Sequence, residues 1–112
     1  MTVTGQNITT TQGDTENLVI VIDITETPSL DIEMCFFDWV VYRQTTKEVV
    51  LEKTTASGIV ADNVTNEIII HIDRDETNEL LGHYLHLCKM IDDSNNEFTV
   101  TTGTFDVGDS PI

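Results

Sequence analysis

The sequence predicts an all-β protein, a single antiparallel β-sandwich of about seven strands. Three observations carry that prediction. Leu80 to Met90 and Asn95 to Val107 read as two long antiparallel strands joined by the turn Asp92-Asp93-Ser94-Asn95-Asn96. Three further runs, Glu16 to Ile24, Ile32 to Arg43 and Asn66 to Asp73, are rich in β-branched and aromatic residues and have no helix cap. Short clusters of Gly, Asn, Asp, Ser and Thr separate these runs, and no stretch is periodic enough for a long helix.

Taken in order, residues 1–15 are rich in Thr, Asn, Gln and Gly and have no period that buries a face. They read as an arm that is loose alone and orders on a neighbour. Glu16 to Ile24 is a strand, broken by Thr25 to Asp31 with its Pro28 and Ser29. Ile32 to Arg43 is apolar on both parities: Cys35, Phe37, Trp39 and Val41 form one face, and Met34, Phe36, Val40 and Tyr42 the other, interrupted by Asp38. A strand with two apolar faces is expected to be covered on both.

Gln44 to Lys47 turns the chain into a strand over 48–53, and Thr55 to Gly58 turns it again. Ile59 to Ala61 is a short edge strand. In Asn66 to Asp73, Ile68, Ile70 and Ile72 share a face. Asp75 to Leu81 reads as one helical turn, capped by Asp75 and stopped by Gly82. The sandwich is thus expected over 16–108, with 109–112 as a tail.

At 112 residues and 39% hydrophobic, the chain can build one core. Only six aromatic residues accompany Trp39, so that core is mostly aliphatic. Twenty acidic residues against five basic ones give a formal charge of −15, which repels nucleic-acid phosphates and anionic membranes. The start shows neither a basic region nor an apolar run, and no stretch approaches a membrane span. Synthesis in a cytoplasm is expected, with Cys35 and Cys88 as free buried thiols, since both are read in one sheet on neighbouring strands. Asn7-Ile8-Thr9 and Asn63-Val64-Thr65 match the glycosylation pattern, which has no use without secretion.

Candidate chemistry is thin. His83 and His86 are three apart on a strand and face opposite sides, so with His71 they make a poor zinc set. His86 is expected in the core and His83 on the surface. Asp73, Asp75 and Glu76, or Asp92, Asp93, Asn95 and Glu97, offer oxygen ligands but no calcium-loop spacing. The serines lie in turns or the tail without a base, and there is no phosphate-cradling glycine loop. No catalytic residue, cofactor or metal is assigned, and an enzyme is not expected.

Several features together resemble the small immunoglobulin-like virion proteins of tailed bacteriophages. They are Gly13-Asp14 before a strand, Trp39 in a central strand followed by a hairpin, Leu80-Leu81-Gly82-His83-Tyr84, the turn Asp92 to Asn96, and Gly103-Thr104-Phe105-Asp106-Val107. The resemblance covers roughly Gly13 to Val107. His83-Tyr84-Leu85-His86 is less aromatic than the usual motif, and the acidity is no family mark. The resemblance implies an immunoglobulin-like order, with Tyr84, His86, Cys88 and Met90 inward beside the Trp39 strand. It implies a capsid decoration or head/tail adaptor subunit, resident in the virion and contacting other virion proteins or its own copies.

Outward, Met34, Phe36, Val40, Leu85 and Leu87 then form one apolar face, the expected interface. The alternative is a binding module whose loops at Thr25 to Ser29, Thr54 to Gly58 and Asp92 to Asn96 contact a host glycan or protein. Few aromatic rings lie in those loops, and such sites usually use them, which favours the structural reading.

Overall fold

The structure, a computed structural model, describes residues 4–22 and 30–109. Its strands are β1 (Thr4–Gly5), β2 (Ile8–Thr11), β3 (Glu16–Val21), β4 (Phe36–Tyr42), β5 (Val49–Thr54), β6 (Ile59–Asp62), β7 (Glu67–Ile72), β8 (Gly82–Ile91) and β9 (Glu97–Gly108). A 3-10 turn over Ile32–Met34 precedes β4, and a short helix α1 (Arg74–Asn78) links β7 to β8. The larger sheet runs β9-β8-β4-β5, with β1 and β2 along the outer edge of β9, and the smaller sheet runs β3-β7-β6. Two packed sheets with this strand order make the expected immunoglobulin-like sandwich.

The alternation read from the sequence places the core. Phe37, Trp39 and Val41 of β4 and Tyr84, His86, Cys88 and Met90 of β8 point inward, against Ile20, Ile68, Ile70 and Ile72 of the smaller sheet. The Trp39 ring meets Phe105 edge-on, with centroids 5.8 Å apart. Removing a side chain of this size from water contributes about 1.5–3 kcal/mol, so the row Phe37, Trp39, Phe105 dominates the packing.

The crossing from the smaller sheet to the larger one is fixed by side chains. Tyr84 Oη donates to the Leu81 carbonyl at 3.1 Å and accepts from the Leu81 N–H at 3.2 Å. This is the tyrosine corner of immunoglobulin-like domains, and it sets where β8 begins. The helical turn before it is capped by Asp73 rather than Asp75, because the Glu76 carboxylate reaches back to the Asp73 N–H at 2.9 Å. That carboxylate also holds Lys53 Nζ at 2.6 Å, joining α1 to β5. Gly82 does not stop the helix, which ends at Asn78 with Glu79 as its C-cap; the Gly82 φ of +111° lets the backbone turn into β8.

One expectation is overturned. The segment read as an arm waiting for a neighbour is part of the sandwich: Thr4–Gly5 and Ile8–Thr11 pair in parallel with β9 in one unbroken register. The sandwich therefore takes in residues well before 16. Ladder hydrogen bonds need no hydrophobic period, and these Thr-rich residues offer a backbone that satisfies the edge of β9. The expected break at Thr25 to Ser29 and the end of the tail, 110–112, lie outside the described residues.

Candidate functional site

Of the predicted interface residues, Phe36, Val40, Leu85 and Leu87 sit on the outer face of the larger sheet; Met34 does not, because the run read as one strand from Ile32 opens with a 3-10 turn over Ile32–Met34, started by the Asp31 cap, and β4 begins only at Phe36. Val40 lies opposite Leu87 and Tyr42 opposite Leu85, so these four form a contiguous apolar block across β4 and β8. Val40, Leu85 and Leu87 are half-buried by their neighbours. Phe36 and Met34 are 41% and 66% exposed, which leaves each with apolar area to give to a partner. They do not join the block directly. Between Val40 and Phe36 lies the row of Asp38 and its β8 neighbour Lys89.

That polar row has an unusual composition. Asp38 Oδ1 is buried and has no hydrogen-bond partner among the described residues. Glu52, which pairs with Val40 across β5, stands diagonal to Asp38. Hydrogen bonding to Asp38, followed by the Asp38 charge, pushes the Glu52 carboxyl above its ordinary range. Lys89, the nearest cation by register, turns instead to Glu97 at 3.5 Å.

A second apolar row escaped the sequence reading. Val19, Ile69 and Val60 lie side by side on the outer face of the smaller sheet, at 42%, 38% and 65% exposed. The available signal was that β3 is β-branched on both parities, which leaves one of its faces apolar whichever way it packs.

The histidines separate as expected. His83 is on the surface, paired to Asp106 at 2.8 Å, and His71 bridges Asn17 and Asp73, each at 2.8 Å. Among the described residues no three His, Cys, Asp or Glu side chains are placed to hold a metal ion. The Asp92 carboxylate is occupied by its own turn, accepting from the Ser94 and Asn96 N–H groups at 3.0 and 2.8 Å. These bonds, the Asn96 N–H foremost, hold its carboxyl below the usual range.

His86 is the best-defined polar group in the core. Its Nδ1 accepts from Trp39 Nε1–H at 3.2 Å, so the ring proton sits on Nε2, 2.6 Å from the Gln6 carbonyl oxygen. The residue opposite on β9 is Gly103, and a Cβ there would lie 1.9 Å from that carbonyl oxygen. The missing side chain is the opening through which Gln6 reaches the imidazole. His86 stands two residues after the corner tyrosine, where disulfide-bearing immunoglobulin domains carry their second cysteine. Here a hydrogen bond to the tryptophan occupies that place.

Cys35 and Cys88 are both buried and unbridged. Burial, aided by Asp38, pushes the Cys88 thiol up to about 12, and burial followed by Asp92 and Asp93 raises Cys35. The thiolate is the reactive form. Alkylation of the native chain is expected to leave Cys88 unmodified for hours at pH 8 and to complete within minutes in denaturant; mass spectrometry reads both.

No known protein family matches the sequence, and no curated protein matches it. Among solved structures, the chain is similar to CopC from Methylosinus trichosporium OB3b at 10% identity and a TM-score of 0.44, over 74% of this chain and 70% of that one. With so low an overlap, the fold assignment rests on the strand order and the tyrosine corner described above.

Proposed function

We propose that the chain is a non-enzymatic virion structural protein of a tailed phage, a capsid decoration or head/tail adaptor subunit that docks through the outer face of its larger sheet. The observation that carries this reading is the block Val40, Tyr42, Leu85 and Leu87, with exposed Phe36 beyond the Asp38 row on the same face. An apolar surface of this kind on a strongly acidic chain favours a contact that removes it from water. Residues 4–11 are taken up in pairing with β9, so docking rests on the sheet face and not on a free N-terminal arm. The work is mechanical: each docked copy adds buried area between larger subunits.

Light scattering gives the first test. The charge of −15 opposes self-association, and the isolated chain is expected to be monomeric at low salt. The double variant Leu85→Ser/Leu87→Ser loses about 1 kcal/mol of burial per half-buried side chain, so its docking onto purified particles should weaken roughly thirty-fold. Unchanged docking by a variant that still unfolds cooperatively removes the face from consideration.

A further inference from the structure

We propose that a second copy of this chain pairs along the open edge of β3, antiparallel about a two-fold axis at Val19, so that two smaller sheets join into one with the order β6-β7-β3-β3-β7-β6. The contact is separate from the docking face, which belongs to the larger sheet.

The backbone makes the case first. Among the described residues β3 pairs with β7 alone, and its other side has no strand beside it. The Ile22 N–H donates to the Asn66 carbonyl at 2.8 Å, while the His71 N–H turns the other way, to the Gly58 carbonyl at 2.9 Å. Because these directions alternate along an antiparallel ladder, Asn17, Val19 and Val21 aim their N–H and C=O groups at the open edge. The other edges are guarded. β9 is covered by β1 and β2, β5 carries Glu52 and Lys53 beside a register shift, and β6 has only four residues. β3 has six residues with Val19 and Val21 exposed, and neither a Lys, a Pro nor a register shift interrupts it. An edge of that kind is a template for another strand.

The occupant is a second β3 because the strand is complementary to itself. With Val19 on the axis, Val19 faces Val19 of the second copy and Asn17 faces its Val21, so each outward N–H and C=O of these residues meets its complement. A register shifted by two residues sends either Asn17 or Val21 to a position beyond the strand. On the outer face Val60, Ile69 and Val19 stand side by side, and the same row of the second copy continues theirs. On the inner face half-buried Leu18 gains Ile20 of the second copy. The register sets no acid opposite an acid: Glu16 meets Ile22, and the row of Asp62, Glu67 and Val21 runs into Asn17 and His71 of the second copy. What opposes the pairing is the formal charge of −15 on each chain, so the pair forms when salt screens that charge.

Sedimentation of the full-length chain in about 0.01 M and about 1 M salt tests the pairing, since the screening length falls from ~30 Å to ~3 Å between them. At about 1 mM chain, where a contact with a Kd of ~1 mM still shows, the mass should rise toward twice its low-salt value. In the same high-salt sample, amide exchange at Asn17, Val19 and Val21 should slow, while the N–H groups of Leu18 and Ile20, already turned to β7, should barely change. Val19→Lys replaces the apolar pair on the axis with two like charges and should stay monomeric. Val60→Lys adds the same charge to the same row two strands from the edge, and should dimerise like the native chain, as should Leu85→Ser/Leu87→Ser. A monomer at both salts, or a dimer that tolerates Val19→Lys, overturns the inference. So does a dimer lost equally in Val60→Lys, which would mean that the sheets stack face to face.

Discussion

Gly103→Ala is expected to detach the first strand from the sandwich and to cost on the order of 2–3 kcal/mol, one of the largest effects available from adding a single methyl group. The added Cβ would lie 1.9 Å from the Gln6 carbonyl oxygen, 2.6 Å from its carbon and 3.0 Å from His86 Nε2. The first two are backbone atoms and cannot swing aside as the end of a flexible side chain does. Relief requires the chain to move away at Gln6. That breaks the bond from Gln6 N–H to the Thr102 carbonyl at 2.9 Å and leaves His86 Nε2–H without its acceptor. Gly108→Ala on the same strand is the control, because its Cβ would meet only the Thr10 carbonyl oxygen, at an ordinary 3.8 Å. Urea unfolding should show a clear loss for Gly103→Ala and a small change for Gly108→Ala. Amide exchange should show the loss concentrated in residues 5–11. Equal behaviour of the two variants would mean that the Gln6 approach is not held by Gly103.

The parts of the molecule legible in the sequence are those where side chains alternate. Phe37, Trp39 and Val41, and Tyr84, His86, Cys88 and Met90, follow a period of two, and that period sets their faces. The same alternation put Val40, Leu85 and Leu87 outward. The pairing of residues 4–11 with β9 was not legible, because a parallel edge strand of Thr and Asn is held by backbone bonds whose partners lie at the far end of the chain. Its signal was Gly103, a glycine inside a strand pattern, which marks a close backbone approach without saying which segment approaches. Asp38 was visible as an interruption in an apolar face, yet its pairing with Glu52 depends on β5 lying beside β4. The helix cap went to Asp73 because Glu76, three residues on, reaches back to its N–H, a reciprocity that Asp75 does not have.

The second large effect is on stability against pH, and it belongs to His86. Burial pushes its ring below the ordinary value of 6.5, against the smaller opposing pull of the Gln6 carbonyl. Geometry gives the same direction: Nδ1 accepts from Trp39, so a second ring proton would place two N–H groups against each other. Above pH 6.5 the ring is neutral in both the folded and unfolded chain and contributes no pH dependence. Below it the unfolded chain takes up a proton that the folded chain refuses, so stability falls as pH falls, until the folded ring titrates. The limit for one group is about 1.4 kcal/mol per pH unit. A loss of about 1 kcal/mol in all between pH 7 and 5 is expected. Two carboxyls add to the dependence on acid. Glu52, held above its ordinary range, acts with the opposite sign, since its protonation on acidification relieves the folded chain. Asp92, held below its range, acts with the same sign as His86 but only under more acid conditions. His86→Gln removes them from the comparison, because both chains carry them. Its amide oxygen can accept from Trp39 and its N–H can donate to Gln6, yet it has no proton to gain. Urea unfolding of the two chains at pH 7 and pH 5 should show the native chain losing more, with the gap between the curves changing by about 1 kcal/mol. Parallel curves would mean that the imidazole accepts its second proton inside the fold, with the Trp39 bond giving way at no cost.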